Sequence, residues 1–126
     1  MRKTSPEPAA GRGPGVRRSP CPIAGTLDLV GDRWTLLLIR DLLAGKKRFN
    51  ELRASPEKIP SNILAERLKR LERAGIVDSV PYEQHPLRVE YRLTPKGRAL
   101  GRVVQALDDW GREHLPATSC RSEIVP

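Results

Sequence analysis

The chain has 126 residues, with 23 Lys and Arg against 15 Asp and Glu, a formal net charge of +8 and a pI near 10.2. That length holds one domain with a modest core and no room for a second. No apolar run approaches the roughly 20 residues that span a bilayer, and the basic start lacks the apolar centre of a signal peptide, so the expected compartment is the cytoplasm.

Cys21 and Cys120 are too few for a disulfide framework, and with the isolated His85 and His114 they have no zinc spacing, so no metal or cofactor is implied. Residues 1–20, 46–73 and 88–102 carry +4, +5 and +4, and the stretches between and after them are slightly acidic. A basic footprint of this kind favours nucleic acid or an anionic membrane surface. Membrane binding would want a leucine or aromatic face left over from the core. The leucine faces here are needed for the core, and four of the five aromatics (Trp34, Phe49, Tyr82, Tyr91, Trp110) are expected inside. No membrane partner is therefore expected.

Residues 1–20 hold four prolines, three glycines and five basic residues, which reads as a disordered basic arm. Order should begin near Cys21-Pro22. Ile23, Leu27 and Val30 are spaced for one face of a short helix ending at Gly31. Asp32 then reads as the cap of a helix from Arg33 to Ala44, closed by Gly45. That helix is apolar nearly all round and should be the central one, with Arg33, Arg40 and Asp41 marking a narrow exposed strip. A basic loop, Lys46-Lys47-Arg48, leads into a short helix from Phe49 to Ser55 that turns Phe49 and Leu52 inward and stops at Pro56.

The next stretch, Ile59 to Gly75, reads as an amphipathic helix with a basic outer face. At about 100° per residue, Leu64, Leu68 and Leu71 share one arc. Asn62, Glu66, Lys69 and Arg73 lie opposite, and Arg67 and Arg70 fall between. Pro60 and Ser61 mark its start, and Ala74-Gly75 its stop. Alone, this pattern equally fits an ordinary solvated surface helix. A short helix, a tight connection and a longer basic helix, however, make a helix-turn-helix, whose second helix enters the major groove.

After Gly75 the period changes. Ile76–Tyr82 and Arg88–Leu93 read as strands around a turn at 83–87, a β-hairpin in the place of a wing. Pro81 requires an edge position. Thr94-Pro95 opens a last helix running to about His114, with Leu100, Val103, Val104, Leu107 and Trp110 at helical spacing. So long an apolar stripe either covers the core or packs partly against a second subunit. Residues 117–126 read as a flexible tail. The fold class expected is thus α+β, mainly α: a winged helix-turn-helix with a two-stranded wing and a long C-terminal dimerisation helix, occupying residues 21–116.

Five runs carry a family resemblance: Cys-Pro-Ile-Ala-Gly-Thr-Leu-Asp-Leu-Val-Gly-Asp-Arg-Trp-Thr (21–35), Arg-Phe-Asn-Glu-Leu (48–52), Asn-Ile-Leu-Ala-Glu-Arg-Leu-Lys-Arg-Leu-Glu (62–72), Arg-Val-Glu-Tyr-Arg-Leu-Thr-Pro-Lys-Gly (88–97) and Asp-Trp-Gly (109–111). In order and spacing they resemble the HxlR-type winged helix-turn-helix regulators over about residues 21–115. At the wing tip, Leu87 stands where that family often has a second proline. The resemblance implies a bacterial or archaeal transcription regulator, and a homodimer built from the first and last helices. It also implies that Cys21 lies where some members carry a redox- or electrophile-sensing cysteine. Cys21 just precedes a helix and is close in sequence to Arg17 and Arg18, which would favour its thiolate; the competing reading is an inert thiol.

The predicted DNA contacts divide by role. Asn62, Glu66 and Lys69 are candidates for base edges, suited to adenine, cytosine and guanine respectively. Ser61 serves either a phosphate or the helix's own amides. Arg70 and Arg73 lie further along and are assigned to phosphate. Lys47, Arg48 and Asn50 open the bracing helix, where free amides and positive charge favour phosphate. His85 and Arg88 are the wing candidates. Arg67 sits at the edge of the buried face and is expected to pair with Glu51. The expected partner is double-stranded DNA carrying an operator. Catalysis is not expected, for want of a phosphate loop or a catalytic constellation. The rival is a winged-helix module for protein contacts, RNA or non-specific nucleic-acid binding. The operator, the direction of control and any small-molecule effector are left open.

Overall fold

The computed structural model describes residues 19–116, so the N-terminal arm, apart from its last two residues, and the tail with Cys120 lie outside the described residues. Six helices and one hairpin follow in chain order: α1 Pro22–Val30, α2 Thr35–Leu43, α3 Phe49–Arg53, α4 Ser61–Arg73, β1 Val77–Gln84, β2 Leu87–Leu93, α5 Pro95–Arg98 and α6 Gly101–His114. No helix among the described residues is long and apolar enough to cross a membrane.

The core is aliphatic, as the scarcity of aromatics requires. Leu38, Ile39, Leu52, Leu64, Leu68, Leu71, Ile76 and Val77 are its most deeply buried apolar side chains. The stripe expected on α4 is therefore the stripe observed. The aromatics differ from expectation. Trp34, Phe49 and Tyr91 are only half-buried, packed at the margin of the core, while Tyr82 and Trp110 are exposed. A leucine and isoleucine core of this size fills before it needs the larger rings.

Both predicted glycine stops are real. Gly45 (φ 105°) and Gly75 (φ 75°) take the left-handed conformation that ends α2 and α4. The Ile76 amide donates to the Leu71 carbonyl at 2.9 Å and the Gly75 amide to Glu72 at 3.1 Å. The Lys46 and Gly45 amides bond Asp41 and Leu42 in the same pattern, the Schellman closure.

Several boundaries move, each for a local reason. Helix α2 starts at Thr35 rather than Arg33, because Asp32 accepts the Trp34 amide and the Thr35 hydroxyl and holds a turn before the helix. Asp41, expected on the exposed strip, is buried. It accepts the Ser55 hydroxyl and the Arg40 Nε (3.0 Å), while Arg40 also pairs with Glu57 at 2.8 Å and 2.9 Å. This network draws Ser55 out of α3, which ends at Arg53. Pro60, not Ser61, occupies the cap position of α4, and Ser61 makes no capping bond.

The hairpin turn is shorter than expected, since Gln84 pairs with Leu87 across His85-Pro86. A bulge follows Pro81, which has no amide for the ladder, and leaves Tyr82 without a cross-strand partner. The last helix is broken. Gly97 and Gly101 weaken it, the Leu100 amide bonds Gly97 three residues back, and α6 starts afresh. Thr94 caps α5 as expected, accepting the Gly97 amide at 3.1 Å.

Candidate nucleic-acid interface

Helix α4 has a high contrast between its faces because its leucines and its charges segregate at the helical period. Leu64, Leu68 and Leu71 are at most 1% exposed. On the other side Ser61, Asn62, Glu66, Lys69 and Arg73 are all exposed. Lys69 and Arg73 lie one turn apart, and among the described residues neither has an acidic partner. Glu66 is drawn sideways into an ion pair with Arg67.

The C-terminal end of α4 is pinned from behind. The Thr94 hydroxyl donates to the Gly75 carbonyl at 2.6 Å, and the Lys96 ammonium to Ala74 at 2.9 Å. Ser79 on β1 donates to Glu72 at 2.7 Å. The Thr94 and Lys96 bonds use carbonyls that a helix end leaves over, while Ser79 bonds the Glu72 carboxylate, and together they tie the end of α4 to β1 and to the start of α5.

Two of the basic residues turn inward. Arg70, expected on phosphate, is half-buried and donates from Nη2 to the carbonyls of Asp28 (3.1 Å) and Leu29 (3.4 Å) at the end of α1. Arg67 does not reach Glu51. Its Nε donates to Asp32 at 2.8 Å. Glu51 instead accepts the amides of Lys47 and Arg48, both at 2.9 Å, which opens α3 and holds its carboxyl below the usual range.

The start of α3 is joined to the wing. The Tyr91 amide donates to the Lys47 carbonyl at 2.7 Å. Arg48 bonds Glu90 at 3.1 Å and lies over the Tyr82 ring, 4.0 Å from its centre, so it touches both wing strands. Lys47 approaches the other Glu90 oxygen at 4.0 Å. Both lysine and arginine keep about half of their side-chain surface in water, so they remain open to a phosphate. Asn50 is exposed beside them. At the tip, His85 and Leu87 are exposed, and Arg88 pairs with Glu83 at 2.9 Å.

Sequence reasoning missed two outward cations, Arg53 and Lys58, which are exposed without an acidic partner among the described residues. They lie in the same basic block. Arg53 ends α3, and Lys58 takes a left-handed conformation (φ 59°) in the connection from α3 to α4.

Cys21 is exposed at the cap position of α1. Its sequence neighbours Arg17 and Arg18, and the second cysteine, Cys120, are outside the described residues. No cluster of three metal-binding side chains occurs among the described residues.

Helix α3, the connection to α4, and a hairpin leaning on α3 through Arg48 define a winged helix-turn-helix protein. The chain belongs to the HxlR-like helix-turn-helix family, whose model matches residues 29–119. It is 43% identical over 94 residues to the Bacillus subtilis protein named uncharacterized HTH-type transcriptional regulator YdeP, a match that covers 75% of this chain and 73% of YdeP. Among solved structures it resembles the redox regulator HypR in its oxidized form, with TM-score 0.70, 39% identity, and coverage of 77% of this chain and 100% of HypR. It also resembles the reduced form of the B. subtilis transcriptional regulator YodB, with TM-score 0.63, 38% identity, and coverage of 75% and 94%.

The Asp32 site makes a pH-dependent prediction. Burial alone would raise the Asp32 pKa, but bonds from Thr35, Arg67 and the Trp34 amide outweigh it and hold the carboxyl below its ordinary value. The ionised form is thus favoured in the folded state. Its stabilisation is complete above about pH 4 and is lost as pH falls through the depressed value. Asp32→Asn should lower the urea midpoint at neutral pH and leave a flatter acid limb than the parent. Equal midpoint differences at about pH 3 and about pH 7 would contradict this.

Proposed function

We propose that this protein is a cytoplasmic, sequence-specific double-stranded-DNA-binding transcriptional regulator that acts as a homodimer and responds to oxidants through Cys21. The observation that carries the DNA reading is the outer face of α4, where Asn62, Glu66, Lys69 and Arg73 project from a helix anchored by three buried leucines. Asn62 and Lys69 are offered to base edges. Arg73, Lys47, Arg48 and Asn50 are offered to phosphates, with His85 and Arg88 reaching from the wing.

Support for the homodimer comes from unburied apolar surface. Ile23 (71% exposed) and Leu27 (53%) lie one turn apart on α1. Leu107 (55%) and Trp110 (60%) do the same on α6, next to Leu115. Side chains of this kind at helical spacing on two helices suit a self-complementary contact better than solvent.

Support for oxidant sensing is the exposure of Cys21 at the start of a nine-residue helix, where partial positive charge favours the thiolate. The likeness to HypR, a redox regulator by name, points the same way.

Fluorescence anisotropy would test the reading, using a labelled duplex from the region upstream of the gene beside a scrambled duplex of equal composition. Specific binding should exceed scrambled binding about 10³-fold or more at physiological salt. Lys69→Ala should weaken specific binding by about 1–3 kcal/mol if Lys69 reads a base, or reduce the salt slope by about 1 on every sequence if it touches phosphate. A variant that binds like the parent at two salt concentrations removes Lys69 from the interface. An oxidant should change the affinity of the parent and leave Cys21→Ser unaffected. Leu107→Asp should shift the protein toward monomer in sedimentation velocity, with a dissociation constant raised at least about tenfold by the buried charge; an unchanged distribution would place the dimer contact elsewhere.

A further inference from the structure

The four basic residues of α4 are two pairs with different duties. Lys69 and Arg73 point outward without acidic partners among the described residues. Arg67 and Arg70, three residues apart and so on one side of the helix, both reach the junction between α1 and α2. Arg67 binds Asp32 at 2.8 Å, with both side chains about one-fifth exposed. Arg70 binds the carbonyls of Asp28 and Leu29, in the last turn of α1. Those carbonyls lie at the negative end of the helix dipole, which favours a guanidinium there.

This grip adds to a small apolar seat, in which Val30 enters the core and Leu29 packs against its margin. Of its nine residues only Gly25 and Val30 are buried. Two apolar side chains that would ordinarily hold such a helix to a core, Ile23 and Leu27, face solvent. Asp32, which Arg67 holds, is also the residue that organises the turn into α2.

We propose that Arg67 and Arg70 are positioning residues that fasten α4 to the end of α1, so that the seat of α1 sets the angle of the DNA-facing side chains. This rests on the DNA-binding reading above. Neither arginine touches DNA. Any event that shifts α1, whether at its exposed face or at Cys21, is then felt at Asn62 and Lys69 through two charge-assisted contacts rather than through the core.

The test uses the full chain and Arg70→Gln, with two independent readouts. Without DNA, amide hydrogen exchange in residues 25–31 should accelerate about tenfold or more, as the loss of a charged bond implies, while exchange in α2 stays as in the parent. With DNA, anisotropy on the upstream and scrambled duplexes at several salt concentrations should show an unchanged salt slope and a specific-to-scrambled ratio lowered about tenfold. Loss of folded protein would lower both affinities alike and leave that ratio untouched. A salt slope reduced by about 1 would make Arg70 a phosphate ligand and overturn the proposal, and so would unaltered exchange in α1.

Asp32→Asn provides the second variant should Arg70→Gln fold poorly. It keeps one acceptor oxygen, which can still take the Thr35 hydroxyl, and replaces the oxygen shared by the Trp34 amide and Arg67 with an uncharged NH2. It should lower the specific ratio although it removes a negative charge from a DNA-binding protein; a higher ratio would count against positioning. If the parent binds neither duplex, the DNA reading fails, and the exchange measurement alone decides whether the arginines hold α1.

Discussion

The structure depends on the burial of Leu64, Leu68 and Leu71. These side chains are removed from water almost completely, and each burial contributes on the order of 2 kcal/mol. Because they recur at the helical period, burying them fixes the rotation of α4 about its own axis. That rotation decides which residues face outward. A turn of one residue would carry Lys69 toward the core and Leu68 toward solvent, and no arrangement of the charges could compensate. The outer face is therefore a consequence of the inner one.

Charge is sorted by the same constraint. Residues at the centre of the outer arc, Lys69 and Arg73, have no acidic side chain within reach among the described residues. Residues at its border, Arg67 and Arg70, are close enough to the α1–α2 junction to meet Asp32 and two carbonyl groups. A border arginine buries its stem and leaves its guanidinium at the edge, where a bond to a partly desolvated acceptor is worth more than one in water. The wing repeats the pattern. Arg48 remains half-exposed yet is held by Glu90 and the Tyr82 ring, the bulged residue that the ladder leaves aside. Such pairs set geometry more than stability, since exposed ion pairs contribute about 0–1 kcal/mol.

What is legible in the sequence is periodic. The α4 stripe, the glycine stops at Gly45 and Gly75, the Thr94 cap and the hairpin all follow from local rules of spacing and backbone conformation, and the motif runs bring the family with them. What the sequence conceals is pairwise and distant. Spacing points Arg67 toward Glu51, sixteen positions away, while its partner Asp32 is thirty-five away. Asp41 reads as surface on the wheel of α2, yet Ser55 and Arg40 satisfy its carboxylate inside. Nothing in a helical wheel shows a partner on another element. The aromatics mislead for a related reason: size and apolarity suggest burial, but the leucines and isoleucines have already filled the space.

The division between outward and inward cations bears on how so small a domain is regulated. Within the described residues, a signal that arrives at α1 reaches α4 through the elements in contact with both. The core is a poor route because it is close-packed and resists small displacements. The contact between α1 and α4 is better suited. It is polar, lies at the margin and involves a helix with only two buried residues. Allosteric couplings typically amount to about 1–3 kcal/mol, which is roughly the worth of one or two hydrogen bonds to a charged group. Two arginines match that scale. They are strong enough to hold one seat of α1 over another, and weak enough that a second subunit or a modified thiol could change the preference.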